Sequence, residues 1–310
     1  WRRDYIELEQ SHSLPRGSRL PDDVRNRLGW ECLNQFTLET RKGTALERQG
    51  QAIVGWRSEQ VLAAADTLLP RLQASHGSLS DVTREELIHW LAGVLSHLRT
   101  SGAVYHPALE GYAREAGNPF VIQPRHRYMP NFSWGTLLPL VPGFNLGKSR
   151  GRVANLASAT GWFARWLEVT LLSGRLLDAQ SYGDVYQLLF QALTQQNLAK
   201  EINSSRGGTA WLLEPRALFC SEQVQHWRCD GCGHMARSGP DETLLWQGRH
   251  CMRLSENLEA TCSGSYRPEP VRPSAQAGDG DLVRVLAKEH TALVGGKIRQ
   301  QIENGFKPKF

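Results

Sequence analysis

Apolar residues recur at helical spacing in several stretches of this chain, most clearly at Leu87, Trp90, Leu91, Val94, Leu95 and Leu98. Intervals of three and four place these side chains on one face of an amphipathic helix. Thr83 and Glu86 stand three apart just before the stripe, the spacing of a capping box, and Gly102 supplies a stop. Ala103-Val104-Tyr105 then reads as a short strand. A second helical face is predicted by Val185, Leu188, Leu189, Ala192 and Leu193. Two strand-like runs follow it, 198–202 and 209–213, separated by a polar, Gly-rich turn over 203–208. Helix, turn and strand, followed later by helix and hairpin, suit winged-helix-like units. A helical domain carrying a hairpin suits the same pattern. Nearer the start, Val24, Leu28, Cys32 and Phe36 predict one helical face, with Cys32 as a small buried hydrophobe. Another helix is expected over 59–72, ending in the His76-Gly77 turn.

Composition narrows the class. Hydrophobic residues at 40% and charged residues at 22% exclude collagen-like, coiled-coil and wholly disordered chains. The 310 residues allow two or three modest domains. No apolar stretch reaches the roughly 18–20 residues that span a bilayer; the richest, 137–144, is broken by Pro139 and Pro142. With no basic-plus-apolar leader, a cytoplasmic location and no membrane partner are expected. The chain opens on Trp1 and stops at Phe310, which reads as a piece of a longer polypeptide.

The net charge of +5 is mild, but its distribution is not. Between Ala116 and Leu167 there is no Asp or Glu, while Arg125, Arg127, Lys148, Arg150, Arg152 and Arg165 all fall there. Tyr128, Phe132, Trp134 and Phe144 are interleaved with them. Cationic side chains neutralise phosphates with release of counterions, and aromatic faces stack on unpaired bases. The stretch is therefore a candidate nucleic-acid contact; a solvated Pro- and Gly-rich crossing has the same composition.

Five of the six cysteines lie between Cys220 and Cys262. Cys229-Asp-Gly-Cys232-Gly has the form of a metal knuckle, two thiolates two residues apart with glycines that let backbone N–H groups turn toward sulfur. Cys251 and Cys262 complete a four-thiolate zinc site, closed and therefore structural. Their separation is long for a compact ribbon, so His250, His234 or Cys220 are alternatives to Cys251. Disulfides do not fit a chain without a secretory signal, and no thioredoxin-like strand precedes the Cys-x-x-Cys pair. Gly143-Phe-Asn-Leu-Gly147-Lys148-Ser149 imitates a phosphate loop but has three residues between its glycines where the motif needs four, so no nucleotide is expected there.

The tail carries the most specific pattern. Leu282-Val-Arg-Val-Leu286 reads as a strand leading to Glu289-His290-Thr291-Ala-Leu293, and Arg299, Ile302, Glu303 and Phe306 follow. This resembles the start of the second RecA-like domain of superfamily-two helicases, where a His-Thr element follows a strand and a helix of the form Arg-x-x-Ile-Glu-x-x-Phe comes next. Three other stretches, beginning at Arg41, Arg99 and Trp211, are similar to large bacterial DEAD/DEAH-box helicases with a C-terminal cysteine-bearing helicase-associated domain. That group includes Druantia-type and DISARM-type anti-phage systems and some repair helicases. Ala45 and the placing of Thr44 directly after Gly43 depart from the first of these signatures, and Val294-Gly-Gly from the polar run expected after His-Thr.

The resemblance implies an α+β, mostly helical fragment: winged-helix-like units plus a zinc ribbon, ending in the start of a RecA-like α/β domain. The expected divisions are a helical accessory region over 1–78, a winged-helix-like region with the basic stretch over 79–218, the ribbon over 219–272 and the motor start over 273–310. It implies the DNA-guiding middle of an ATP-dependent helicase or translocase acting on single-stranded or forked DNA, with defence-system subunits as further partners. His290 and Thr291 would then meet nucleic acid beside Arg125, Arg127, Lys148, Arg150 and Arg152. ATP and Mg2+ would belong to motor parts that these residues do not contain. The competing expectation is a non-enzymatic zinc-containing winged-helix protein that binds nucleic acid or serves as an adaptor.

Overall fold

The structure, a computed structural model, describes residues 2–37, 45–48, 50–122, 138–147, 151–205, 207–254 and 261–269. Helices α1 (Arg2–Ser11) and α2 (Leu20–Thr37) lead to a single turn α3 (Ala45–Arg48) and strand β1 (Ile53–Trp56). The long helices α4 (Ser58–Ser75) and α5 (Arg84–Thr100) follow, then the short α6 (Pro107–Arg114) and α7 (Pro119–Ile122). Strands β2 (Val141–Phe144) and β3 (Val153–Asn155) precede α8 (Trp162–Leu167), a π-helical turn and α9 (Ser181–Gln195). The rest is strand-rich: β4 (Ala199–Asn203), β5 (Thr209–Leu213), β6 (Leu218–Ser221), β7 (Gln225–Cys229), β8 (Met235–Ser238), the short helix α10 (Thr243–Trp246) and β9 (Tyr266–Glu269). The fold is α+β. Among the described residues, no helix is long and apolar enough to cross a membrane.

The capping box forms: Thr83 Oγ1 accepts from the Glu86 N–H at 3.3 Å, and the Glu86 carboxylate accepts from the Thr83 N–H at 2.9 Å. The helix it starts, α5, is buried on nearly every side rather than along one stripe, because α4, α8, α2 and α10 all pack against it. Gly93 makes one of those contacts possible. A side chain there would meet the Trp166 ring at 2.2 Å, so its absence lets Trp166 lie against the helix and donate Nε1–H to the Trp90 carbonyl at 2.9 Å. Near the end of α5, buried Arg99 pairs with buried Glu47 at 2.9 and 3.1 Å and donates to the Phe36 carbonyl at 2.7 Å. That carboxylate balances the charge which a helix interior could not otherwise hold.

The expected hairpin is present, with Ala199 opposite Leu213 and Asn203 opposite Thr209. It does not stand free: β5 also pairs antiparallel with β2, and β2 pairs parallel with β3, giving the order β3-β2-β5-β4. The expected short strand at 103–105 reduces to one bridge, Val104 to Leu213, flanked by backbone hydrogen bonds of 2.8 Å. Strand β6 pairs antiparallel with β1, and the last sheet has the order β8-β7-β9. One apolar core runs from Trp30 to Tyr266 and includes Trp227, Cys229, Trp246 and Cys251, so the cysteine-bearing sheet shares the core that surrounds α5. The described residues up to Glu269 form one compact unit; residues 270–310 lie outside the described residues.

Helix α2 corrects one expectation. Val24 and Leu28 are 39% and 62% exposed, and Cys32 is exposed rather than buried. The buried face carries Trp30 and Thr37, with Leu33 packed beside it. Trp30, with the largest apolar surface on the helix, takes the core side and turns the expected stripe outward.

Candidate metal centre

Each half of the centre is built by a strand end and a tight turn. Strand β7 ends at Cys229, and the chain turns through Asp230, Gly231, Cys232 and Gly233 before β8. Two backbone hydrogen bonds close the turn: Gly233 N–H to the Cys229 carbonyl at 3.0 Å, and Cys229 N–H to the His234 carbonyl at 2.9 Å. Gly233 takes a φ of +71°, the left-handed conformation that glycine adopts without strain. The second half joins Cys251 to the turn before β9, with Cys251 N–H donating to the Gly264 carbonyl at 2.9 Å. The N–H groups of Arg253 and Gly264 point at sulfur, 3.5 Å from Cys251 Sγ and 3.4 Å from Cys262 Sγ.

These turns bring Cys229, Cys232, Cys251 and Cys262 together, with all four sulfurs within 4.8 Å of one another. Cys229 Sγ lies 3.5 Å from Cys262 Sγ, and Cys232 Sγ 3.6 Å from Cys251 Sγ. A disulfide needs about 2 Å. Four sulfurs at 2.3 Å from one tetrahedral metal ion lie about 3.8 Å apart, so the quartet has the size of a four-thiolate cage. Four protein ligands fill a tetrahedral ion, and a centre of this kind braces a fold rather than activating water.

The side chains around the quartet hold its two halves in register. The Asp230 carboxylate accepts from Ser265 N–H at 2.8 Å, from Ser265 Oγ–H at 3.2 Å and from Arg267 Nε–H at 3.1 Å. The backbone N–H of Ser265 and the guanidinium of Arg267 hold that carboxyl below its usual range. Buried Tyr266 shares a 2.8 Å hydrogen bond between its hydroxyl and His234 Nδ1, and accepts from Met252 N–H at 3.2 Å. Behind it, the Trp246 ring stacks on Trp227 with centroids 6.4 Å apart, and Trp227 Nε1–H donates to buried Ser238 Oγ at 2.8 Å. Burial pushes the Cys251 and Cys262 thiols up. Burial opposes ionisation of Cys232 as well, but hydrogen bonds from the His234 backbone and the neighbouring thiols bring it down to about 7. A divalent cation that replaces the protons relieves the crowding of four thiols in this space.

Two buried charges accompany the centre. The Glu242 carboxylate accepts from the Gly239 N–H at 2.7 Å and, across to β1, from the Trp56 N–H at 3.1 Å; burial raises it to about 7. Arg249 is fully buried with its guanidinium 3.4 Å above the Trp246 ring, and burial lowers it to about 10. Neither residue stands out in the sequence. Asp230 does, since it lies inside the Cys-x-x-Cys pair, although nothing in the spacing says that it reaches across to Ser265.

The alternatives to Cys251 sit elsewhere. Cys220 is exposed on β6, His250 bridges to Ser265, and His234 is engaged by Tyr266. Cys220 and Cys32 both line a separate, mostly apolar cavity of about 780 Å³ beside β1 and β6. Of the basic residues, Arg165 lies in α8, and Arg152 is half-buried just before β3, with Nη2 3.4 Å from Ser101 Oγ and Nη1 closed off from solvent. Burial lowers its pKa. Arg125, Arg127, Lys148, Arg150, His290 and Thr291 lie outside the described residues, as do Arg41 to Thr44 and the strand and helix expected near the end. No family model matches the chain, and neither the curated proteins nor the solved structures contain a match to it.

Proposed function

We propose that this chain is the DNA-guiding, zinc-braced middle of an ATP-dependent DNA helicase or translocase. The observation that carries the zinc part is the convergence of four cysteine sulfurs within 4.8 Å. A zinc ion held by Cys229, Cys232, Cys251 and Cys262 would supply cross-linking of two chain segments and no reaction chemistry. The helicase part is supported by the His290-Thr291 element and the stretches beginning at Arg41, Arg99 and Trp211, which resemble the DEAD/DEAH-box group. In this role α9 and the β4–β5 hairpin act as a winged-helix-like unit beside the DNA. Arg125, Arg127, Lys148 and Arg150 neutralise phosphates, with Arg152 at the base of the same stretch. His290 and Thr291 meet the strand from the motor side. ATP and Mg2+ act at motor segments that these residues do not include, in anti-phage defence or repair.

The test uses the full chain. Metal analysis is expected to give one zinc per chain. Fluorescence anisotropy with forked and single-stranded DNA is expected to show binding that weakens steeply with salt, with a log–log slope of roughly −3 to −4 if about four phosphates are neutralised. Replacing Arg125, Arg127, Lys148 and Arg150 with Ala together removes most of that slope. Zinc-loaded protein with no salt-dependent DNA binding would instead favour the adaptor.

A further inference from the structure

Arg249 is buried with no carboxylate hydrogen-bonded to it among the described residues. Its Nη2 donates to Met252 Sδ at 3.1 Å, and its Nε and Nη1 have no hydrogen-bond partner among the described residues. Taking a guanidinium out of water carries a heavy desolvation cost unless an opposite charge stands nearby. The other deeply buried arginine, Arg99, has such a partner in Glu47 at 2.9 Å. The buried carboxylate of Glu242 faces Arg249 electrostatically and offsets part of its charge, but its oxygens accept from the Trp56 and Gly239 N–H groups rather than from the guanidinium. The stack on Trp246 supplies some compensation through the ring face, and the ring of Tyr266 is 5.7 Å away. The Tyr266 hydroxyl is itself 4.0 Å from Cys251 Sγ.

Four thiolates around a divalent cation carry a net charge of roughly −2. We propose that Arg249 is the internal counter-charge of that centre, a positioning residue that sets how tightly the metal is held without touching it. The proposal rests on the zinc assignment above. It gives the unpaired guanidinium a partner and implies reciprocity: the metal lowers the cost of burying Arg249, and Arg249 lowers the cost of burying the anionic cage. In the metal-free chain the same arginine is offset only by Glu242, whose oxygens are taken up by other donors.

The experiment compares full-length wild type with Arg249→Met and Arg249→Lys, reading bound zinc per chain, zinc release to a colorimetric chelator, and stability after stripping. Wild type and the lysine variant are expected to hold one zinc with release within a few-fold of each other. The methionine variant is expected to release zinc about 10-fold faster or more, the size of effect seen when partners outside the ligand shell are removed. Stripped of metal, the methionine variant is expected to be at least as stable as wild type, which a purely packing role for Arg249 would not produce. Equal zinc release from Arg249→Met and wild type overturns the proposal, as does a lysine variant that loses zinc as fast as the methionine one. If Arg249→Met does not fold in excess zinc, Arg249→Gln takes its place. Failure of both neutral variants beside a folded lysine variant supports the need for charge, and failure of all three shows that shape decides. Absence of zinc from wild type removes the zinc assignment itself, and the separate metal reading distinguishes that result from the others.

Discussion

Gly264 sits where a side chain has no room: a Cβ there would stand 2.6 Å from Gly231 N, 2.7 Å from Cys229 Sγ and 2.8 Å from Asp230 Oδ1. The two knuckles close on each other through a pair of glycines. Gly264→Ala is expected to push the halves apart and weaken zinc retention by about 10-fold or more, read by the same chelator competition; retention equal to wild type would mean the turns yield. His97 shows a different single-residue effect. Its ring stacks on Trp162 with centroids 3.7 Å apart, and burial, helped by Arg152, holds it down at about 3. The folded state therefore binds this proton less readily than the unfolded chain, where histidine titrates near 6.5. Its contribution is intact above pH 6.5 and is lost as pH falls from there toward 3. By pH 5 the loss is roughly 1–2 kcal/mol. His97→Phe keeps a flat ring and removes the proton site, so the variant should lose less stability than wild type between pH 7 and 5 in denaturant titrations. Identical slopes would show that the imidazole does not feel this burial. The four cysteines of the quartet were legible in the sequence as candidates by type and clustering, with Cys251 open to exchange for Cys220, His234 or His250. The roles of Gly264, Arg249 and His97 were not, because each depends on what another segment brings against it.

At the scale of elements, one link between the three-stranded cysteine-bearing sheet and the helical body runs through Glu242. Its two carboxylate oxygens satisfy backbone N–H groups in two places, Gly239 at the start of its own turn and Trp56 on β1. Ser58 Oγ also donates to the Asp241 carbonyl alongside. Glu242→Ala leaves both donors buried without partners, a loss of about 2–4 kcal/mol, and Glu242→Gln, which keeps one oxygen, should lose about half as much. Urea unfolding followed through Trp fluorescence measures both; equal stability of the alanine variant and wild type would mean that water or a shift of β1 replaces the carboxylate. The helices α5 and α9 and the β4–β5 hairpin were readable from spacing and capping alone. The pairing of β2 with β5 was not, since β2 and β5 lie more than sixty residues apart in the chain, and neither run says which edge it will meet.

For the whole molecule, the consequence of one continuous core is that a metal held by the four cysteines would act beyond their sheet. Trp227, Trp246 and Cys251 belong to the same apolar cluster as α5 and α9. Removing zinc with a strong chelator is expected to lower the melting temperature of the full chain by ~10 °C, since a site about 1,000-fold saturated contributes about 4 kcal/mol to a fold of this size. Restoring zinc should reverse the shift. A melting temperature that ignores both treatments would show that the core stands without the metal, or that the cluster holds none.

The long helices, the hairpin, the capping box and the Cys229–Cys232 knuckle were readable from the chain alone, because each is written in residue types a few positions apart. Packing between distant segments settled which face of α2 is buried, why Gly93 is needed, and that Cys251 rather than Cys220, His234 or His250 completes the quartet. The same packing buries Arg249 two residues from Cys251 with no carboxylate hydrogen-bonded to it among the described residues. Those outcomes follow from contacts between segments far apart in the chain, where the burial of an aromatic ring or a charge outweighs local preference.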